Sequence, residues 1–236
     1  MPTFDIVKQS KVPKTYRTDM VRGSFDLQDE KITEHFTGNI DIDGKPWRIG
    51  LICGGSGTGK TTIARDVFGQ DAFTAYAYGG QAVIDEMPGE ASFSDVTKTF
   101  TSVGFATVPS WLKPYGVLSN GEKMRVDLAR MLLEHKDLSV VDEFTSVVDR
   151  RVAQTASAAM SKAIRRMGGG ERFVFLSCHK DIVEWLQPDW IYDTDERRFF
   201  FARQGNDRQS PSRYTNCMAG QMPKPHSGNA LSVITI

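Results

Sequence analysis

The 236-residue chain carries 29 basic and 29 acidic side chains, so its formal net charge is zero, and 40% of its residues are hydrophobic. That length and composition fit one globular α/β core, and neutrality excludes the general attraction to nucleic acid or membrane surfaces that a strong charge bias gives. No apolar run approaches the roughly 20 residues of a membrane span. No signal peptide is evident, and three scattered cysteines, Cys53, Cys178 and Cys217, form neither a disulfide framework nor a zinc pattern, so a cytoplasmic protein is expected.

In chain order, Lys8, Lys11, Lys14, Arg17 and Arg22 make residues 1–22 a basic arm, partly offset by Asp5 and Asp19, that is either solvated or in contact with phosphate. Residues 23–203 are read as the folded domain. Ile40 to Trp47 reads as strand and turn, with Asp43-Gly44 as a hairpin signal. The apolar run Ile49, Leu51, Ile52 then enters GGSGTGKTT, residues 54–62, which fits G-x-x-x-x-G-K-[ST] between a strand and a helix. Glycines at 54, 55, 57 and 59, with Ser56 and Thr58 between them, bring backbone N–H groups and a helix N-terminus to bear on phosphate. Lys60 is expected to reach the β- and γ-phosphates of a nucleotide, Thr61 to ligate Mg²⁺, and Thr62 to complete the loop. Cys53 and Cys178 read as small core residues near the nucleotide, and oxidation of Cys53 is expected to disturb the adjoining loop.

The stretch from Asp85 to Val117 is short and irregular, and LSNGEK follows it from Leu118. Ser119-Asn120-Gly121-Glu122 taken alone is an ordinary helix-capping turn, heading an amphipathic helix from Glu122 to Glu134 with Met124, Leu128, Met131 and Leu132 at helical spacing. Leu138, Val140 and Val141 form a short apolar strand ending in Asp142 and Glu143, a pair suited to holding Mg²⁺ (Asp142) and to activating water as general base (Glu143). A second helix from about Arg150 to Met167 buries Ala153, Ala156, Met160 and Ile164 and stops at Gly168-Gly169-Gly170. Phe173 to Leu176 leads into Ser177, Cys178 and His179, and Trp190-Ile191-Tyr192 with Phe199-Phe200-Phe201 flank a turn as an edge hairpin. Residues 204–236 turn polar, rich in Gly, Pro, Ser and Asn, and are expected to be a mobile tail.

The order of these strings resembles the ATP-binding-cassette (ABC) ATPases over about residues 20–200: the phosphate loop as Walker A, Val140 to Glu143 as Walker B, and LSNGEK as the LSGGQ-type signature. The resemblance implies a P-loop NTPase α/β fold with a short helical subdomain and an antiparallel β portion near the N-terminus. It implies ATP and Mg²⁺ as ligands, hydrolysis to ADP and phosphate, and an ATP-sandwich homodimer. In that dimer Ser119, Asn120 and Gly121 act in trans on the γ-phosphate, Asp149 of DEFTSVVD is the D-loop residue at the seam, and His179 is the switch histidine. Asn120, Glu122 and Phe144 depart from the usual wording, Phe144 standing where proline is common. Gln81 or Asp85 occupies the Q-loop place, and Phe25 or Phe36 the adenine-stacking one. VPSWLKPYGVLSNGEKMR, VVDEFTSVVDRR and SCHKDIVEWLQPDWIYD are further similar to a group of soluble cassette ATPases often fused to an acetyltransferase-like (GNAT) domain, and this chain ends where that domain would begin. The expected activity is therefore an ATP-driven conformational switch on an unidentified partner. The alternatives are the nucleotide-binding subunit of a membrane transporter, and a slow-turnover switch associated with nucleic acid or an acetyltransferase.

Overall fold

The computed structural model describes residues 2–11, 13–26 and 31–201, and the expected polar tail with Cys217 lies outside them. The central sheet has five strands in the order β4 (Leu138–Val141), β5 (Arg172–Ser177), β3 (Ile49–Cys53), β6 (Trp190–Asp193) and β7 (Arg198–Phe201). The first four are parallel, and β7 pairs antiparallel with β6 as the expected edge hairpin. Strand β3 is buried at every position, as its unbroken apolar character requires of a strand covered on both faces. Gly50 belongs there for a steric reason: a Cβ at this position would come within 2.1 Å of the Trp190 indole on the neighbouring strand.

Before β3 lies the antiparallel β portion that the family resemblance implies, but it begins inside the segment read as a basic arm. Thr3–Lys11, within that arm, forms strand β1 and pairs antiparallel with β2 (Lys31–Asn39) from Thr3 opposite Asn39 to Lys11 opposite Lys31. Phe4 anchors this two-stranded sheet, buried and packed edge-on to Tyr192 with ring centroids 5.6 Å apart, while Lys8 and Lys11 remain exposed. On that face Phe4 is buried, Ile6 half-buried and Lys8 exposed, so the apolar alternation is too short to signal a strand. Helix α1 (Tyr16–Phe25) follows, held by a Thr15–Thr18 capping box and burying none of its residues. Residues 40–47 hold no strand: Ile40 and Ile42 are buried and Asp43-Gly44 turns the chain. The hairpin expected there does not form because β3 already has both edges occupied, by β5 and β6.

Helix α2 (Lys60–Phe68) follows β3, and α3 (Phe93–Ser102) and α4 (Val108–Trp111) form the short helical subdomain. Its core is aromatic: Phe100 packs edge-on against Phe105 at 5.2 Å, and the Trp111 indole donates to the Phe105 carbonyl at 2.8 Å. Helix α5 (Asn120–Leu133) and helix α6 (Arg150–Arg166) fall within a residue or two of their expected bounds, and α6 buries Ala153, Ala156, Met160 and Ile164 as its spacing dictates. A short helix, α7 (Ile182–Leu186), leads into β6. Among the described residues no helix is long and apolar enough to cross a membrane.

Candidate active site

Parallel α/β sheets place ligands beyond the carboxyl ends of their strands, and here three of those ends carry the expected chemistry. Strand β3 runs into the phosphate loop, β4 into Asp142 and Glu143, and β5 into Ser177, Cys178 and His179. The loop turns through left-handed backbone at Gly57 (φ 80°) and at Gly59 (φ 84°), the residue immediately before α2. Lys60 folds back over the loop, its Nζ donating to the carbonyls of Gly54 and Gly55 at 2.9 and 2.6 Å. The Thr61 hydroxyl donates to both oxygens of Asp142, at 3.1 and 2.9 Å. Residues 81 positions apart in the chain therefore meet as the two expected metal ligands.

A hydroxyl and a carboxylate are hard oxygen donors that suit Mg²⁺, and no group of three or more His, Cys, Asp or Glu among the described residues surrounds a metal position. Two protein oxygens fit an octahedral ion only where phosphate and water supply the remainder, the usual arrangement at nucleotide sites.

Asp142 and Glu143 have different environments. Asp142 also accepts the Glu143 backbone N–H at 2.9 Å, whereas the exposed Glu143 carboxylate accepts no hydrogen bond from a described residue. Glu143 and Thr145 both adopt left-handed backbone, φ 54° and 68°, which costs about 1–3 kcal/mol each for residues of this kind and is common where side chains are aimed at chemistry. Phe144 between them is buried, packs on Phe175 at 4.6 Å, and donates its N–H to the Leu176 carbonyl at 2.8 Å. Proline could not make that bond, so the departure at this position ties the loop after β4 to strand β5.

Ser119 caps α5 in a reciprocal box: Glu122 accepts from the Ser119 N–H (3.0 Å) and hydroxyl (2.8 Å), and from Ser110 at 2.8 Å. The Ser119 backbone N–H, then the Ser110 and Ser119 hydroxyls, hold the Glu122 carboxyl below the usual glutamate range. The glutamate that departs from the signature wording thus fixes the helix start. Gly121 lies against α6, where a Cβ would come within 3.3 Å of Val152. Ser119 and Asn120 are exposed. Asp149 caps α6, accepting from the N–H groups of Arg151 and Val152 at 2.9 and 3.0 Å. His179 is half-buried, and its backbone N–H donates to the Ser177 hydroxyl at 3.1 Å.

Gln81 and Asp85 are both exposed, and neither lines the cavity of about 360 Å³ that contains Asp142 and Glu143; Thr74, Ala75 and Tyr76 do. The Gln81 loop is instead tied down by Glu86, which accepts the N–H groups of Gly79 and Gln81 at 2.6 and 2.8 Å. Of the two aromatic candidates, Phe25 ends α1 at 72% exposure, while Phe36 abuts the phosphate loop so closely that a Cβ on Gly59 would meet its ring at 2.4 Å.

The turn between β6 and β7 braces the phosphate loop, a role that local sequence does not signal because its partners lie about 140 positions upstream. Asp195 accepts the Gly55 N–H at 2.9 Å, and Thr194 shares a 2.6 Å hydrogen bond with the Thr58 hydroxyl. Lys180, next to His179, bridges buried Asp193 at 2.7 Å and Asp195 at 3.0 Å. Burial opposes the Lys180 charge, but the two carboxylates outweigh it and hold the ammonium above the usual lysine range. The Gly55 N–H, with Lys180, keeps the Asp195 carboxyl below the usual range.

Cys53 is the small core residue that its place in the sequence implies. It is fully buried at the end of β3, and burial, with Asp193 nearby, pushes its thiol up to about 12, so reactive thiolate is scarce near neutrality. Brief alkylation of the native protein at about pH 8 leaves Cys53 unmodified by peptide mass, while the denatured chain alkylates fully. Native labelling at the denatured rate would contradict this.

No protein-family model matches the chain. Among curated proteins, the cytochrome c biogenesis ATP-binding export protein CcmA of Brucella abortus (strain 2308) is 36% identical over 55 residues, 23% of this chain and 26% of that protein. CcmA of Brucella suis biovar 1 (strain 1330) matches equally, so the chain spans about a quarter of the length of these relatives. Among solved structures, the ATP-binding cassette MJ0796, a dimer bound to ADP and Pi, superposes with TM-score 0.53 at 16% identity, covering 85% of this chain and 100% of that one. CbiO1 from Clostridium perfringens, part of the ABC transporter complex cbiONQ, gives TM-score 0.52 at 17% identity over 84% of this chain and 87% of its own. The fold is that of an ATP-binding cassette: a mixed sheet with an antiparallel pair at the N-terminus.

Proposed function

We propose that this chain binds Mg-ATP and hydrolyses it to ADP and phosphate in a site shared between two copies. The observation that carries the reading is the contact of Thr61 with Asp142, which joins the phosphate loop to the strand bearing Glu143. In this reading the N–H groups of the loop and the start of α2 hold the phosphates, Lys60 leaves the Gly54 and Gly55 carbonyls for the β- and γ-oxygens, and Phe36 faces the base. Thr61 and Asp142 hold Mg²⁺, which when bound neutralises charge building on the phosphates. Glu143 orients the attacking water and takes its proton, and His179 steadies the γ-phosphate from the end of β5. Catalysis of this kind rests on positioning and charge stabilisation.

Ser119 and Asn120 are exposed at the start of α5, and in this reading that helix start faces another copy's phosphates, the Ser119 hydroxyl exchanging its contact with Glu122 for the γ-phosphate. The dimeric MJ0796 cassette supports that pairing as a proposal for this chain. Phosphate release from ATP tests the reading: activity requires Mg²⁺ and rises more steeply than linearly with protein concentration. Activity strictly proportional to concentration down to high dilution would count against a shared site.

A second reading is favoured by the comparisons, which include an export protein and a transporter subunit: the chain serves as the nucleotide-binding subunit of a transporter. A membrane partner seated on the helical subdomain distinguishes it. The narrower sequence resemblance makes an acetyltransferase-like protein the other partner class to test.

A further inference from the structure

Helix α5 is clasped on its polar face by a segment remote in sequence. Asp127 accepts from the Tyr78 hydroxyl through one carboxylate oxygen and from the Tyr115 hydroxyl through the other, each at 2.7 Å. The two tyrosine rings stack with centroids 3.9 Å apart and planes 7° from parallel. One helical turn on, Arg130 lies over Tyr76 at 4.8 Å and Tyr78 at 5.2 Å and donates to the Ala77 carbonyl at 3.3 Å. Burial holds the Asp127 carboxyl above the usual aspartate range even though both phenols favour its charge.

The other end of the same segment is fixed to the catalytic strand. Phe73 bridges Val140 of β4, and Thr74 donates to the Val140 carbonyl through its N–H at 3.0 Å and its hydroxyl at 3.2 Å. Asp142 and Glu143 follow just beyond. Residues 74–78 therefore form a short strap from the strand that bears the carboxylates to the helix that begins with the signature residues. The cavity that contains Asp142 and Glu143 has Tyr76, Tyr115 and Asp127 in its wall, together with Thr145, whose buried hydroxyl has no hydrogen-bond partner among the described residues. Helix α5 is also anchored away from the strap, because Leu128, Ala129 and Leu132, on the side remote from Asp127 and Arg130, are buried.

We propose that Tyr78, Tyr115 and Asp127 are positioning residues that latch α5 to the catalytic strand, so that ATP at a chain's own site sets the placement of Ser119 to Gly121 for the partner site. The proposal rests on the cassette-dimer reading. Neither the phenols nor Asp127 touches ATP. Their hydrogen bonds meet on one carboxylate, so freeing either phenol loosens the strap without opening the core.

The test compares Glu143→Gln with the same protein carrying Tyr78→Phe and Tyr115→Phe, which keeps the stack and removes both hydrogen bonds, and with Asp127→Asn, which keeps one acceptor. Hydrogen exchange at residues 119–124, with and without Mg-ATP, reads the latch within one chain. Solution mass reads the dimer, and a fluorescent ATP analogue reads the phosphate loop. Mg-ATP slows exchange at residues 119–124 in Glu143→Gln, the effect drops at least about tenfold in the double tyrosine variant, and Asp127→Asn falls between them. Nucleotide affinity stays within about twofold. Equal ATP-induced protection in all three proteins would overturn the latch, as would losses of nucleotide affinity and melting temperature that track the change in protection. If Glu143→Gln stays monomeric with Mg-ATP, the dimer reading fails, and exchange at residues 119–124 still decides the latch.

Discussion

Glu143→Gln lowers ATP turnover by roughly a hundred- to ten-thousand-fold while ATP binding is retained, the range associated with removing a general base. The division of labour between the two acids is the reason. Asp142 is engaged by Thr61 and by the Glu143 N–H, which keeps it against the phosphate loop, and the proposed reading gives it the metal. Glu143 sits one residue on, exposed, in left-handed backbone, with a carboxylate that accepts nothing from the described residues. Glutamine keeps its size and removes its basicity. Phosphate-release rates at saturating Mg-ATP check this, and a variant within threefold of the parent would remove Glu143 from the role of base.

Lys60→Ala weakens ATP binding by at least about a hundredfold, since hydrogen bonds to charged groups contribute roughly 1.5–3 kcal/mol each and the proposed reading has this ammonium make two, to the β- and γ-phosphates. The substitution also removes its donations to Gly54 and Gly55, so the loop loses its internal tie as well. The Asp195–Gly55 and Thr194–Thr58 contacts keep the loop attached to the β6–β7 turn, and the melting temperature therefore changes little. Titration with a fluorescent ATP analogue measures the loss. Affinity within threefold of the parent would place the phosphates elsewhere.

What was legible in the sequence was what local spacing encodes. The strand–loop–helix at Gly54 to Thr62, the acid pair after Leu138, the capping turn at Ser119, and the apolar stripe of α6 each announce themselves within a few residues, whereas Asp149 was read as a D-loop residue and its capping of α6 was not. The fold class followed from their order. Features built from distant partners did not announce themselves. Strand β1 was hidden because its inward face is apolar only at Phe4 and Ile6 before Lys8, and its partner begins at Lys31, beyond a helix that buries nothing. The apolar residues Ile40 and Ile42 read as strand because burial alone imitates a strand when the pairing edges are unknown. The Lys180–Asp193–Asp195 brace and the Tyr78–Asp127–Tyr115 cluster depend on side chains that meet only after the sheet order is set. Phe144 was legible only as a departure, and its value lies in the N–H it donates to β5.

The shared site is the central claim, and the solution mass of Glu143→Gln with and without Mg-ATP tests it most directly, because dimerisation requires a loaded phosphate loop, an exposed signature start and a stalled base together. The account predicts a monomer that doubles in mass only when Mg-ATP is added. A protein that binds Mg-ATP and remains monomeric at high concentration would contradict it.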